Sequence, residues 1–217
     1  MSREFDEHIR ELMDQPQPVS AELERDLANL VSLNLHFGAH RLIRRFLSGW
    51  FRPERAYRVL DLCSGAGDLP RTIIDWARER RITVRIDAVD ANAATLEMAK
   101  RWSASYPEID WHQSDVLTFD PPHEYDLVHC SLALHHFSDA DAALLLKRCR
   151  ELTSRYALVT DLVRDTATKL GIWLLTSLVY REPMTVHDAR LSARRAFSFG
   201  EMRSLATAAG WENFGHG

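Results

Sequence analysis

The stretch Tyr57 to Pro70, YRVLDLCSGAGDLP, decides how this chain is read. Val59, Leu60 and Leu62 form the apolar run of a strand covered on both faces, and Asp61 interrupts it. Ser64-Gly65-Ala66-Gly67 then lets the backbone turn tightly with nothing between it and a ligand, and Leu69 to Arg80 resumes at helical spacing. A glycine turn between a parallel strand and a helix puts free N–H groups at the carboxyl edge of a sheet, where open α/β folds bind their ligands. The strand therefore gives a site address as well as a fold class.

Outward from it, strands and helices alternate. Ile86 to Asp90 (IDAVD) ends a second strand on an acid 23 residues past Gly67, and Ser114-Asp115-Val116 follows a third. Tyr125 to Ser131 (YDLVHCS), followed by LALHHF, is a fourth, and Tyr156 to Val163 a fifth. Between them the spacing predicts helices over Leu69 to Arg80, Ala93 to Tyr106 and Ala140 to Leu152, the last introduced by Ser138 with Asp141 at the capping-box position. A second capping box, Ser198 with Glu201, opens a helix that stops at Gly210. Ahead of the first strand three helical segments are expected. Phe5, Ile9, Leu12 and Met13 share a face before DQPQP; Ser20 caps a second helix with Leu23, Leu27, Leu30 and Val31 on one stripe; Leu42, Ile43, Phe46, Leu47 and Trp50 mark a third.

These motifs, in this order and spacing, resemble class I S-adenosylmethionine-dependent methyltransferases, in the D-x-x-x-G-x-G-D version of the ubiquinone/menaquinone-type and other small-molecule enzymes. The likeness runs from about Ala56 to Trp211. It implies an α/β, doubly wound Rossmann-like sheet of order 3-2-1-4-5 with an N-terminal helical cap. Residues 1–55 would be the cap and 56–217 the core, with a helical insertion over 166–195. The family's closing hairpin is expected to be incomplete, because only Trp211 to Gly217 follow the last helix.

S-adenosylmethionine donates hydrogen bonds from an α-ammonium, a ribose diol and an adenine amino group, and its sulfonium is cationic, so carboxylates at strand ends suit it. By resemblance Asp61 orders the methionine end, the backbone of Gly65 to Gly67 passes under it, Asp90 takes the ribose hydroxyls, and Asp115-Val116 frames the adenine. The same resemblance draws in Cys63, Ser64, Ala66, Asp68, Ala91, Asn92, Ser114, Cys130 and Ser131. Cys63 stands where many members carry the first glycine of the motif. A nicotinamide-binding domain is disfavoured: GAGDLP lacks the third glycine, and Asp61 sits where a pyrophosphate needs N–H groups.

For the reaction, His135 and His136 just past the fourth strand are the candidate general bases, since a neutral imidazole suits a phenolic proton. No metal site is assigned. Asp161 offers an oxygen at the fifth strand, but Cys130 and Ser131 occupy the fourth, so a Mg²⁺ mechanism is not expected. An Asn/Asp-Pro-Pro-aromatic turn for base methylation of nucleic acid is replaced by CSLALHHF. Likeness to a bacterial secondary-metabolite subgroup favours O-methylation of a phenolic or polyketide-like acceptor. C-methylation of a quinone-like ring, or a non-catalytic cofactor-binding module serving a partner, are the alternatives. The acceptor pocket is expected between the N-terminal helices and Thr166 to Arg195, with Trp173 or Tyr180 as a flat wall and the polar stretch Arg181 to Arg195 as a mobile loop.

At 217 residues the chain is one domain's length, and a net charge of −4 gives no global pull toward nucleic acid or an anionic membrane. Three cysteines cannot complete a disulfide framework, and no signal peptide opens the chain, so a reduced, cytoplasmic setting is expected. Cys63 and Cys130, ending neighbouring strands, are expected side by side as thiols. The most apolar stretch, Leu170 to Tyr180, is too short to span a bilayer and leaves monomer or homodimer open.

Overall fold

A computed structural model describes residues 3–212 and 214–215. Five parallel strands form one sheet in the order β3-β2-β1-β4-β5: β1 Tyr57–Leu62, β2 Val84–Asp90, β3 Ile109–Gln113, β4 Tyr125–Ser131 and β5 Thr153–Thr160. The order reverses between β1 and β4, and at such a switch point the connecting helices leave to opposite faces and open a crevice at the carboxyl ends. On one face Val59 and Ile86 pack with Ile73 and Trp76 of α3 (Asp68–Arg80) and with Ile43 and Leu47 of a helix over Ala39–Trp50. On the other, Leu60 and Val128 meet Leu145 and Leu146 of a helix over Asp139–Glu151, with Ala206 and Ala209 behind. Both layers exclude water from the central strands, which accounts for the burial of Val59 to Leu62 in β1.

The N-terminal helices are α1 (Ala21–His36) and α2 (Ala39–Trp50); the first of the three expected helices does not form. Residues 3–19 instead run as a strap of turns. Its backbone groups are bound elsewhere: the N–H groups of Leu12 and Met13 donate to the Asp188 carboxylate at 2.8 and 3.0 Å, and Arg195 donates to the carbonyls of Asp6 and Ile9. A helix would have used those groups internally. α1 is capped as its sequence suggests, Ser20 Oγ accepting from Leu23 N–H.

Beyond α3, α4 covers Ala93–Trp102, shorter than its pattern, and α5 covers Asp139–Glu151. Residues 166–195 form two helices, α6 (Thr166–Leu178) and α7 (Pro183–Arg195). The stretch expected as a polar loop is thus helical, with Pro183 in the first turn where its missing N–H costs nothing. β5 starts and ends three residues earlier than its apolar pattern, and Val163 pairs in parallel with Phe197 instead. α8 (Phe199–Ala208) opens with both bonds of the Ser198–Glu201 capping box. Past it Trp211 Nε1 donates to the Leu146 carbonyl, and among the described residues no strand follows; Asn213, His216 and Gly217 lie outside them.

Candidate active site

The turn after β1 is built from three residues in the left-handed region: Cys63 (φ 56°), Gly65 (φ 51°) and Gly67 (φ 71°). Gly67 is fixed by crowding as well, because a Cβ there would stand 2.4 Å from the Trp111 ring, whereas at Gly65 it would meet nothing within 4 Å. Gly65 therefore presents bare backbone to the crevice, and Gly67 seats the indole. Asp61 is buried and bonded at 2.5 Å to Nδ1 of His129, its registered neighbour on β4. Asp68, first residue of α3, accepts from Asn34 Nδ2 (3.0 Å) and His40 Nε2 (2.8 Å), which ties α1 and α2 to the turn.

Asp90 ends β2 with its carboxylate accepting from Gly65 N–H (2.8 Å) and Asn92 N–H (2.9 Å). Burial pushes its pKa up, and those two donors work against that push. Two bonds leave carboxylate lone pairs over, as a ribose diol requires. The Asp115 carboxylate accepts from Leu117 N–H and shapes the turn after β3.

These groups share a cavity of about 1520 Å³. Asp61, Cys63, Ser64, Gly65, Ala66, Asp68, Asp90, Ala91, Asn92, Asp115, Val116 and Ser131 line it; Gly67, Ser114 and Cys130 stand behind the wall. A pocket for one ligand holds roughly 300–1,000 Å³, so this one has room for a second molecule beside the first. Its other half is apolar, walled by Ile9, Leu30, Leu33, Phe37, Leu42, Ile172 and Leu175.

Where the halves meet, the strap crosses the 3₁₀ turn Leu134–His136. His135 Nδ1 donates to Asp161 Oδ1 at 2.6 Å and His136 Nδ1 to Asp14 Oδ2 at 2.7 Å, while both Nε2 atoms face Glu11, at 3.6 and 3.8 Å. Burial alone would lower the pKa of His135, but the Asp161 and Glu11 carboxylates win and push it up to about 10. His136 is raised for the same reasons, chiefly by Glu11. Glu11, whose burial favours its neutral form, is held at about 2 by the two imidazoliums and a bond from Ser192 Oγ. The two carboxylates favour the protonated ring of His135, the form that donates a hydrogen bond and does not take up a proton.

The three thiols, Cys63, Cys130 and Cys149, are free, and Cys63 and Cys130 end neighbouring strands. The Cys130 thiol beside it and burial raise Cys63, and burial pushes Cys149 up to about 12, so they are poor nucleophiles. Trp173 is 53% exposed on the outer face of α6, and the Tyr180 hydroxyl is bonded to Ser32 Oγ; neither reaches the cavity. Gly171, Ile172 and Leu175, on the opposite face of the same helix, do. An α6 apolar on both faces gave no sequence signal for which one turns inward. Glu11, Asp14 and His129 went unassigned: the first two lie on the strap, and His129 showed only as a polar residue inside a buried strand, register-matched to Asp61.

Residues 59–155 match the family described as "Methyltransferase domain". A 2-phytyl-1,4-naphthoquinone methyltransferase of Thermosynechococcus vestitus is 32% identical over 111 residues, 51% of this chain and 48% of that protein, about half its length. The protein of the same name from Trichormus variabilis is 31% identical over 180 residues, 79% of this chain and 73% of that one. Among solved structures, magnesium protoporphyrin IX methyltransferase from Synechocystis PCC 6803 with bound SAH superposes with a TM-score of 0.58 at 15% identity, covering 92% of this chain and 81% of that one, a likeness of fold.

Proposed function

The chain belongs to the class I S-adenosylmethionine-dependent methyltransferases that act on small molecules, and from that premise we propose that its acceptor is a reduced quinone-type ring with an apolar substituent, methylated at a ring carbon. The observation that carries this reading is the two-part cavity, acid-lined under the glycine turn and apolar beyond it, with His135 and His136 at the junction. Relatives that act on a phytyl-bearing naphthoquinone support it.

The cofactor-side residues fit S-adenosylmethionine: Asp90 keeps acceptor capacity, Asp61 lines the cavity, and the backbone at Gly65 is open to it. Bound there, it would supply an electrophilic methyl on a sulfonium, which the acceptor's nucleophilic atom takes. Ile9, Leu33, Phe37, Ile172 and Leu175 would cover the apolar substituent and keep the junction dry, which strengthens every charge interaction in it. The quinol hydroxyl would lose its proton to water, and His135, favoured as the protonated ring by Asp161 and Glu11, would donate to that oxygen and steady the anionic quinolate, whose electron density makes the neighbouring ring carbon nucleophilic. After the methyl arrives, the proton on that carbon returns by way of water to the ring oxygen and the quinol is restored. A quinone has no hydroxyl to ionise, so only its reduced form is activated this way.

The test is product analysis. Purified protein with S-adenosylmethionine is offered naphthoquinols with and without an alkyl chain, kept reduced, alongside simple phenols. C-methylated product from the alkylated quinol is expected; a methyl ether from the same quinol, or turnover confined to simple phenols, overturns the reading.

A further inference from the structure

We propose that Glu11, His135 and His136 bind one first-row divalent transition ion at the junction of the two halves of the cavity. The three residues each offer one ligand atom, and those atoms all lie within 4.8 Å of one another. The contacts from His135 Nε2 and His136 Nε2 to the Glu11 oxygens, 3.6 and 3.8 Å, are too long for hydrogen bonds. They are close to the spacing of two ligands on a tetrahedral ion, roughly 3.3–3.5 Å for metal–ligand bonds of about 2.0–2.2 Å. The two contacts run to the two different oxygens of Glu11, and closing the set on one ion draws the three ligand atoms in from their 4.8 Å spread.

The surroundings are those of a metal centre. Asp161 takes the Nδ1 proton of His135 and Asp14 that of His136, so in the neutral tautomer each ring turns its Nε2 lone pair toward Glu11. Ser192 Oγ donates to Glu11 and orients its carboxylate. Three carboxylates face two imidazoles here. Two imidazolium protons or one divalent ion leave the cluster with the same single negative charge, so the ion can replace the protons without a new electrostatic cost. Two imidazoles and one carboxylate favour zinc or iron(II) over the all-oxygen preference of magnesium. With the ion bound, His135 gives up its Nε2 proton, and the ion takes over the hold on an acceptor oxygen that the protonated ring supplies in its absence, through the positions that three protein ligands lining the cavity leave open.

The site is completed only across the chain: His135 and His136 follow β4, and Glu11 comes from the strap. Binding the ion would therefore pin the strap. The test uses Co²⁺ as a spectroscopic probe with no acceptor present, so its outcome is independent of the proposed substrate. Chelator-treated protein titrated with Co²⁺ is expected to take up one ion per chain with visible d–d absorption, and Zn²⁺ to displace it. Asp161→Asn keeps all three ligands and should weaken binding about 10–100-fold, the range for a lost partner of a ligating histidine. Glu11→Gln and His136→Gln should abolish the band, with circular dichroism and S-adenosylmethionine binding confirming that each variant is folded. The exposed-surface change His36→Gln should leave it intact. Absence of the band in the wild-type protein, or a band that Asp161→Asn and His136→Gln both leave unchanged, overturns the site.

Discussion

Asp26 is a buried carboxylate on α1 with Thr185 Oγ1 donating to one oxygen at 2.5 Å and, among the described residues, no partner for the other. Burial pushes its pKa up to about 6, well above the usual carboxylate range. The folded state therefore holds a proton that the unfolded chain releases at lower pH, so the charged form penalises folding above pH 6, and the penalty fades as pH falls from 6 toward 4. Asp26→Asn is expected to stabilise the protein by about 1–3 kcal/mol at pH 8 and to make little difference at pH 4. Urea midpoints at the two pH values check this, and equal effects at both would mean that ionisation is not the cause. Asp90→Ala should cost about 1.5–3 kcal/mol of cofactor affinity by calorimetry, the range for hydrogen bonds to a charged group. At this scale the acids at strand ends were legible, because a carboxylate that ends an apolar run has no packing reason to be there. Glu11 was not, since its partners His135 and His136 are far along the chain.

Helices announced by caps came through: Ser20, Ser138 and Ser198 each accept from the backbone N–H their sequence position implies. The strap is the failure that teaches most. Its apolar residues have helical spacing, yet Leu12 and Met13 give their N–H groups to Asp188, and that competition is invisible to a local pattern. Local spacing reports which residues want burial and not which backbone groups find partners 175 positions away. The same contact makes the strap testable. Asp188→Ala leaves two N–H groups unpaired, at about 1–3 kcal/mol each. Because these bonds tie down a terminal segment, the loss should appear as local opening: faster amide exchange over residues 3–19 and faster tryptic cleavage after the exposed Arg10, with the sheet amides unchanged. Exchange rising equally in the strap and in β1 would show that Asp188 supports the whole fold.

For the whole molecule, strand order was legible because a glycine turn after a first strand and acids after the next two constrain a parallel sheet to one arrangement around a switch point. The cofactor half of the cavity follows from that order and was read with it. The acceptor half was not, since strap, α1, α2 and α6 meet over the sheet through contacts between residues far apart in the chain, and α6 is apolar on both faces. The structure turns Trp173 outward, with Leu170, Leu174, Leu178 and Val179 also exposed, and turns Ile172 and Leu175 in. Two substitutions on one helix therefore separate the faces. Trp173→Ala removes a ring that touches neither half of the cavity, and turnover should stay within about twofold of wild type, well under the ~100-fold that misplacing a reacting group can cost. Leu175→Trp pushes an indole into the apolar half, so acceptor turnover should fall by about tenfold or more while S-adenosylmethionine affinity, set by Asp61, Asp90 and the glycine turn, is retained. Kinetics and calorimetry on the two variants decide it: lost turnover in Trp173→Ala, or lost cofactor affinity in Leu175→Trp, would mean that the two halves are not divided as α6 divides them here.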